Sequence, residues 1–246
     1  MKKITLFIIL LILATLAIYL NRSYAYIYDE IHRGNLKAPD KNQTYMIGEN
    51  KNNPNLIYTA LGDSLTAGAG TDNYRESYPS LVAEKLSNKN NVILKNRSEL
   101  GYKSEDIKNI FLPLAIADKP DIVTIFAGVN DVHSNISKEE FRNNYDEMIN
   151  KLTTETTAKV YIINVPFIGA SNLILPPYDL YFDFKTKELN EVLKDLAKKY
   201  SVKYIDIYSP TAIEFKKSNS YYSRDLFHPS AKGYAFWANI IYNNLQ

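Results

Sequence analysis

Three side chains in this sequence could form a nucleophile, a base and an orienting acid: Ser64, His228 and Asp225. Ser64 stands in Gly62-Asp63-Ser64-Leu65, directly after the apolar run Leu56–Leu61. Asp225 and His228 stand in Asp225-Leu226-Phe227-His228-Pro229, just before the last helical pattern. A serine hydroxyl is a poor nucleophile until a base takes its proton in the transition state. Imidazole is the usual base, and a carboxylate fixes its tautomer and steadies the imidazolium. The oxyanion that develops needs fixed N–H donors. Asn130, in Gly128-Val129-Asn130-Asp131, brings a side-chain amide, and Gly101 lets a backbone N–H come close to a substrate. The chain has three histidines. His32 lies in a polar N-terminal stretch, and His133 is expected at the site mouth, solvated. That leaves His228 as the base. Asp63 is expected to brace its turn by accepting backbone N–H groups, and Asp131 is given no catalytic role.

These residues need a scaffold that brings distant loops to one edge. Five apolar runs read as buried strands: 56–61, 91–95, 121–126, 159–165 and 202–207. Helical spacing falls between them, over 77–86, 104–114, 137–152 and 184–200, and again over 230–245. Alternation of this kind builds a parallel sheet with helices on both faces, and such a sheet holds its site beyond the carboxyl ends of its strands. Gly62–Ser64, Asn96–Gly101 and Gly128–Asp131 each follow a strand. Composition agrees with a folded α/β unit: 46% apolar and 23% charged residues. With 29 basic and 27 acidic side chains, the absence of any block of like charge argues against a dedicated nucleic-acid binder. The lack of cysteine excludes thiol catalysis, disulfides and a lipoprotein anchor.

Gly62-Asp63-Ser64-Leu65, Gly101 within Asn96–Gly101, Gly128-Val129-Asn130-Asp131 and Asp225–His228, in this order, resemble the blocks of the SGNH (GDSL-type) hydrolase family. The resemblance runs from about Leu56 to the end. It implies a flavodoxin-like three-layer α/β/α sandwich with five parallel strands. It also implies Ser64 as nucleophile, His228 as base and then acid, and Asp225 as its orienter. The implied oxyanion hole is the Ser64 and Gly101 N–H groups with the Asn130 amide. The implied reaction is carboxylic ester hydrolysis through an acyl-enzyme, without metal or cofactor. Glu99, Tyr102 and Lys103 around Gly101 depart from the gentler composition usual in the second block.

Other readings of the same residues are a metallophosphoesterase, with Asp63, Asp131 and His228 as ligands, and a catalytically silent membrane-tethered binding domain. Gly68-Ala69-Gly70 lacks the spacing and lysine of a phosphate loop.

The N-terminus adds a different element. Lys2-Lys3 precedes a 17-residue uncharged run, Ile4–Leu20, and Arg22 follows. Its length suits a short membrane-spanning helix, and the flanking charges direct the remainder out of the cytoplasm. The expected organisation is a signal anchor or signal peptide over 1–22, an extracytoplasmic tether over 23–55 with a short helix near 26–32, and the hydrolase domain over 56–246. The expected location is the cell membrane, single-pass, with secretion after cleavage near Ala25 as the alternative. No obligate protein partner is inferred. The long apolar stretch 166–182, after the fourth strand, is expected as an acyl-chain groove involving Leu173, Leu175 and Tyr178. This favours lipid or lysophospholipid-like esters. The rival substrate is an O-acetylated cell-surface glycan.

Overall fold

A computed structural model describes residues 2–33, 36–48, 52–170 and 172–245. Helix α1 spans Lys2–Arg33. Strand β1 is Thr44–Ile47, and β2 is Asn55–Gly62. Helix α2 (Tyr78–Leu86) leads to β3 (Asn91–Ser98). Helix α3 (Ser104–Asp106) passes through a π-helical stretch, Ile107–Phe111, into α4 (Leu112–Ala117). Strand β4 (Ile122–Phe126) is followed by α5 (Val129–His133) and α6 (Lys138–Glu155). Strand β5 (Lys159–Ile163), α7 (Tyr178–Tyr200), β6 (Lys203–Ile205), α8 (Tyr208–Glu214) and α9 (Ala231–Asn244) complete the chain.

The strands lie in the order β1-β3-β2-β4-β5-β6. All pairs are parallel except β1–β3. Their apolar runs are long because helices cover both faces. Helix α2 packs on α9, and α6 packs on α4 and α7. The five parallel strands match the expected sandwich. The sheet has six strands rather than five, because Thr44–Ile47, within the stretch read as a tether, adds an antiparallel edge. Its short and partly exposed pattern carries little hydrophobic signal.

The same stretch holds more structure than its composition suggested. Helix α1 does not stop at residue 22 but runs on to Arg33. Ser23 and Ile27 are buried, and Ile31 packs against the core. Beyond α1, the Asp40 N–H donates to the Ala67 carbonyl, and the Ser77 hydroxyl donates to the buried Asp40 carboxyl. Residues 36–48 are thus fastened to the turn after β2. Helix α7 begins six residues earlier than the expected 184, so Tyr178–Phe182 are helical rather than loop.

The sheet register fixes where the site must be. Gly62, Ser98 and Phe126 lie side by side at the carboxyl ends of β2, β3 and β4. β2 sits between β3 and β4, where the connections leave in opposite directions, and a crevice opens at such a point.

Candidate active site

The turn after β2 is built around Gly62 and Asp63. A Cβ on Gly62 would lie 1.9 Å from Thr66 Oγ1 and 2.4 Å from the Phe126 carbonyl oxygen, so only glycine fits between these strands. The Asp63 carboxylate is buried and accepts the Leu65 N–H at 2.9 Å, and the Asp63 carbonyl accepts the N–H groups of Thr66 and Ala67. Burial first, and then the charge of Asp131, push the Asp63 carboxyl up to about 7. Its bracing role is as expected from sequence. The turn presents Ser64 at the rim, with only 7% of its surface exposed.

The loop before α9 is equally constrained. The Ser223 N–H donates to the His228 carbonyl at 2.8 Å, and Tyr222 bridges Pro229. Asp225 Oδ1 accepts the Ser223 hydroxyl at 2.7 Å and the N–H groups of Phe227 and His228, each at 3.0 Å. The other oxygen, Oδ2, accepts His228 Nδ1–H at 2.6 Å. Burial pushes the Asp225 carboxyl up, but the bond to His228 and its charge, with the Ser223 and Phe227 donors, outweigh burial and hold it below the ordinary value. A carboxylate can only accept, so the imidazole proton sits on Nδ1 and leaves Nε2 as an acceptor. The Ser64 hydroxyl donates to that Nε2 at 3.0 Å. Residues 161 and more positions apart in sequence therefore meet in one chain of hydrogen bonds.

Gly101 and Asn130 follow the two neighbouring strands. Gly101 has φ +76°, and a Cβ there would meet nothing within 4 Å, so its backbone faces open space. Asn130 is half-buried on α5, and its Nδ2 donates to the Tyr102 carbonyl at 2.9 Å. One of the two amide hydrogens remains for a ligand. Among the described hydrogen bonds, the Ser64 N–H has no acceptor within the protein. Asp131 ties the two loops together. It is fully buried and accepts both the N–H and the hydroxyl of Ser104, while Asn144 Nδ2 donates to the Ser104 oxygen. Tyr102, noted only as a departure in the second block, and Ser104, read only as a cap, were given no site role from sequence. The first acts through its main chain, and a serine opening a helix reads as an ordinary cap.

Two expectations require correction. His133 is half-buried rather than solvated. Its ring lies 4.7 Å from that of Phe182 and 5.2 Å from that of Phe227, and its Nε2 is buried without a hydrogen-bond partner. Burial, and then the charge of His228, lower it to about 4, so it stays neutral. The apolar stretch 166–182 does line a cavity, but not through the expected side chains. Leu173 is fully buried in packing, Leu175 is half-buried, and Tyr178 lies against α1. The cavity, about 410 Å³, is lined instead by Ile168, Ile174, Leu180, Phe182, Thr186 and Tyr208, among others. It shares Phe167, Ile168 and Gly169 with a narrow cleft of about 10 Å³ that reaches Leu65, Phe227 and Trp237. His32, the remaining histidine, falls in α1.

Known proteins share this arrangement of elements. The chain is 28% identical over 199 residues to the spore germination lipase LipC of Bacillus licheniformis, a match covering 73% of this chain and 91% of that one. A lipase/acylhydrolase from Enterococcus faecalis superposes with a TM-score of 0.64 at 25% identity, over 77% of this chain and 95% of that one. The acetylxylan esterase Axe2 from Geobacillus stearothermophilus shares the fold, with a TM-score of 0.60 at 18% identity over 80% and 96% of the two chains. The model of the GDSL-like lipase/acylhydrolase family matches residues 60–236, from the strand that leads into Ser64 to the helix that follows His228. The strands, turns and blocks described above are thus those of a known group of ester hydrolases, and the chain belongs to the GDSL-like lipase/acylhydrolase family.

Proposed function

We propose that this chain hydrolyses carboxylic esters through an acyl-enzyme on Ser64. The observation that carries the reading is the continuous relay from Ser64 Oγ through His228 to Asp225, at 3.0 and 2.6 Å. In this reading His228 Nε2 takes the Ser64 proton as Oγ bonds to the ester carbon. The carbonyl oxygen becomes an oxyanion held by the N–H groups of Ser64 and Gly101 and the Asn130 amide. The tetrahedral species collapses, the carbon–alkoxy bond breaks, and the imidazolium gives its proton to the leaving alcohol. A water then repeats the sequence: His228 accepts its proton, the hydroxide oxygen bonds to the acyl carbon, and Ser64 leaves with the proton returned. Asp225 stays ionised and steadies the imidazolium. Asp63 and Asp131, which the metallophosphoesterase reading would use as ligands, are turned instead onto the N–H groups of Leu65 and Ser104.

The favoured substrates are lipid-like esters. Support comes from the apolar part of the 410 Å³ cavity and its common wall with the cleft at Leu65. Support for the second reading, an O-acetyl glycan esterase, is that this cleft, at about 10 Å³, offers no room for a long acyl chain beside Leu65. Hydrolysis of p-nitrophenyl esters of increasing chain length separates the two. Turnover that holds or rises from acetate to octanoate supports the lipid reading, and a steep fall beyond acetate supports the glycan. Ser64→Ala should remove turnover of every ester in the series while leaving the circular dichroism spectrum unchanged. Residual wild-type turnover in a pure Ser64→Ala sample contradicts the mechanism.

A further inference from the structure

Helix α1 has two unlike halves. From Lys3 to Tyr19 every position is exposed, and all but the first are uncharged. From Leu20 onward one stripe is covered: Leu20 in part, Ser23 and Ile27 fully, Ile31 in part. That spacing of three and four residues is one face of a helix laid on a surface. The change falls where the helix meets the turn that starts α7. The Tyr19 hydroxyl donates to the Pro176 carbonyl at 2.7 Å, and the Tyr178 hydroxyl donates to the Leu20 carbonyl at 3.3 Å. The rings of Tyr24 and Tyr178 lie 5.7 Å apart. Cleavage after Ala25 would remove all three of these contacts, so they favour a retained anchor.

This junction sets a level. The exposed stretch covers roughly 25 Å, close to the thickness of a bilayer's hydrocarbon core. With that stretch in a membrane, Tyr19 and the residues that hold it sit at the lipid interface, where tyrosine is favoured. The α7 start at this level carries large apolar side chains in the open. Leu180 is 71% exposed and Phe184, one helical turn on, is 64% exposed. Pro176 and Leu180 also line the 410 Å³ cavity.

We propose that residues 176–184 form a membrane-docking surface, seated on the same bilayer that α1 spans, with the cavity opening at the lipid interface. The surface takes the headgroup and upper acyl region of phospholipid. As a route for substrate this rests on the esterase reading. The position of the surface does not, and the test keeps the two apart.

The chain has no cysteine, so single labels can be placed without other changes. The full chain is reconstituted into phosphatidylcholine vesicles after Leu180→Cys or Phe184→Cys labelling with a nitrobenzoxadiazole dye. Thr154→Cys, in the last turn of α6 at the opposite rim of the sheet, is the control. Spin-labelled lipid with a shallow nitroxide should quench the two α7 labels at least about twofold more than the control label. Equal quenching at all three positions overturns the proposal. So does a blue-shifted α7 label that nitroxide lipid leaves bright, the result for a surface covered by a second copy of the chain. In a second arm, Phe184→Asp should lower hydrolysis of a long-chain ester carried in the vesicles about fivefold or more, while p-nitrophenyl acetate in solution is hydrolysed as before. Equal loss on both esters contradicts a docking role. A wild-type chain inactive on every ester sinks the esterase reading alone, and the quenching result still decides the surface.

Discussion

At the scale of single residues, His228 and Asp225 differ from the other buried polar groups in having a downstream task. Asp225 holds the imidazole through a 2.6 Å bond while its second oxygen is saturated by three donors from its own loop. Removing the imidazole in His228→Ala should cut kcat by about 10³-fold or more with little change in KM, read by steady-state kinetics on a short ester. Asp225→Asn should fall in the same direction, because the amide favours the wrong imidazole tautomer. Asp40 is a different case. Burial pushes its carboxyl up to about 7, against the lowering effect of the Ser77 hydroxyl. Between the unfolded value near 4 and about 7 the folded chain binds the extra proton. Stability is therefore greatest at the acid end of that window and falls as pH rises through it. Asp63, also raised to about 7, adds to the same slope. Asp40→Asn should remove part of this slope, with a higher Tm than wild type at pH 8 relative to pH 5. Thermal melts at the two pH values check it, and an unchanged slope contradicts it. The catalytic candidates were legible in sequence because each sits in a short motif, Ser64 and Asn130 just after strands and Asp225 and His228 just before the last helix. His133 was misjudged because nothing local tells that Phe182 from helix α7 and Phe227 from the loop before α9 pack against it.

At the scale of elements, the site depends on how three neighbouring strands end in register. The loop after β3 and helix α5 are coupled by Asn130 on Tyr102 and by Asp131 on Ser104. Asp131 is thus a positioning residue for both side donors of the proposed oxyanion hole. Asp131→Asn keeps the shape but loses one acceptor. It should lower kcat about tenfold while KM for p-nitrophenyl acetate stays within about twofold. A loss confined to Tm, with kcat intact in the folded protein, contradicts the positioning role. The five parallel strands were readable from their apolar runs and from Gly62, Pro120, Gly128 and Pro166 at their borders. Strand β1 was not, because an edge strand with alternate positions open to water carries only half the signal of a buried one. The early start of α7 was hidden by apolar residues on every side of Tyr178–Phe184. Phe182 faces the cavity, Tyr178 faces α1, Leu180 lies exposed at the cavity's edge and Phe184 faces outward, so no single period emerges.

At the scale of the whole molecule, the second half of α1 touches the rest of the chain through Ser23, Ile27 and Ile31, and residues 36–48 are fastened to it. The covered positions Ser23, Ile27 and Ile31 recur every four residues, a period present in the sequence but masked by the charged and polar residues between them. If α1 is retained, the chain should be recovered in the membrane fraction with its intact mass of 28.2 kDa. A soluble product beginning after Ala25 contradicts retention. The central claim concerns Ser64, and a fluorophosphonate tests it most directly, because such a probe bonds only to a serine made nucleophilic by its surroundings. Peptide mapping of the labelled protein should find a single adduct, on Ser64, and labelling should vanish in Ser64→Ala and nearly so in His228→Ala. An unlabelled Ser64 in active enzyme, or an adduct on another serine that persists in Ser64→Ala, would contradict the account.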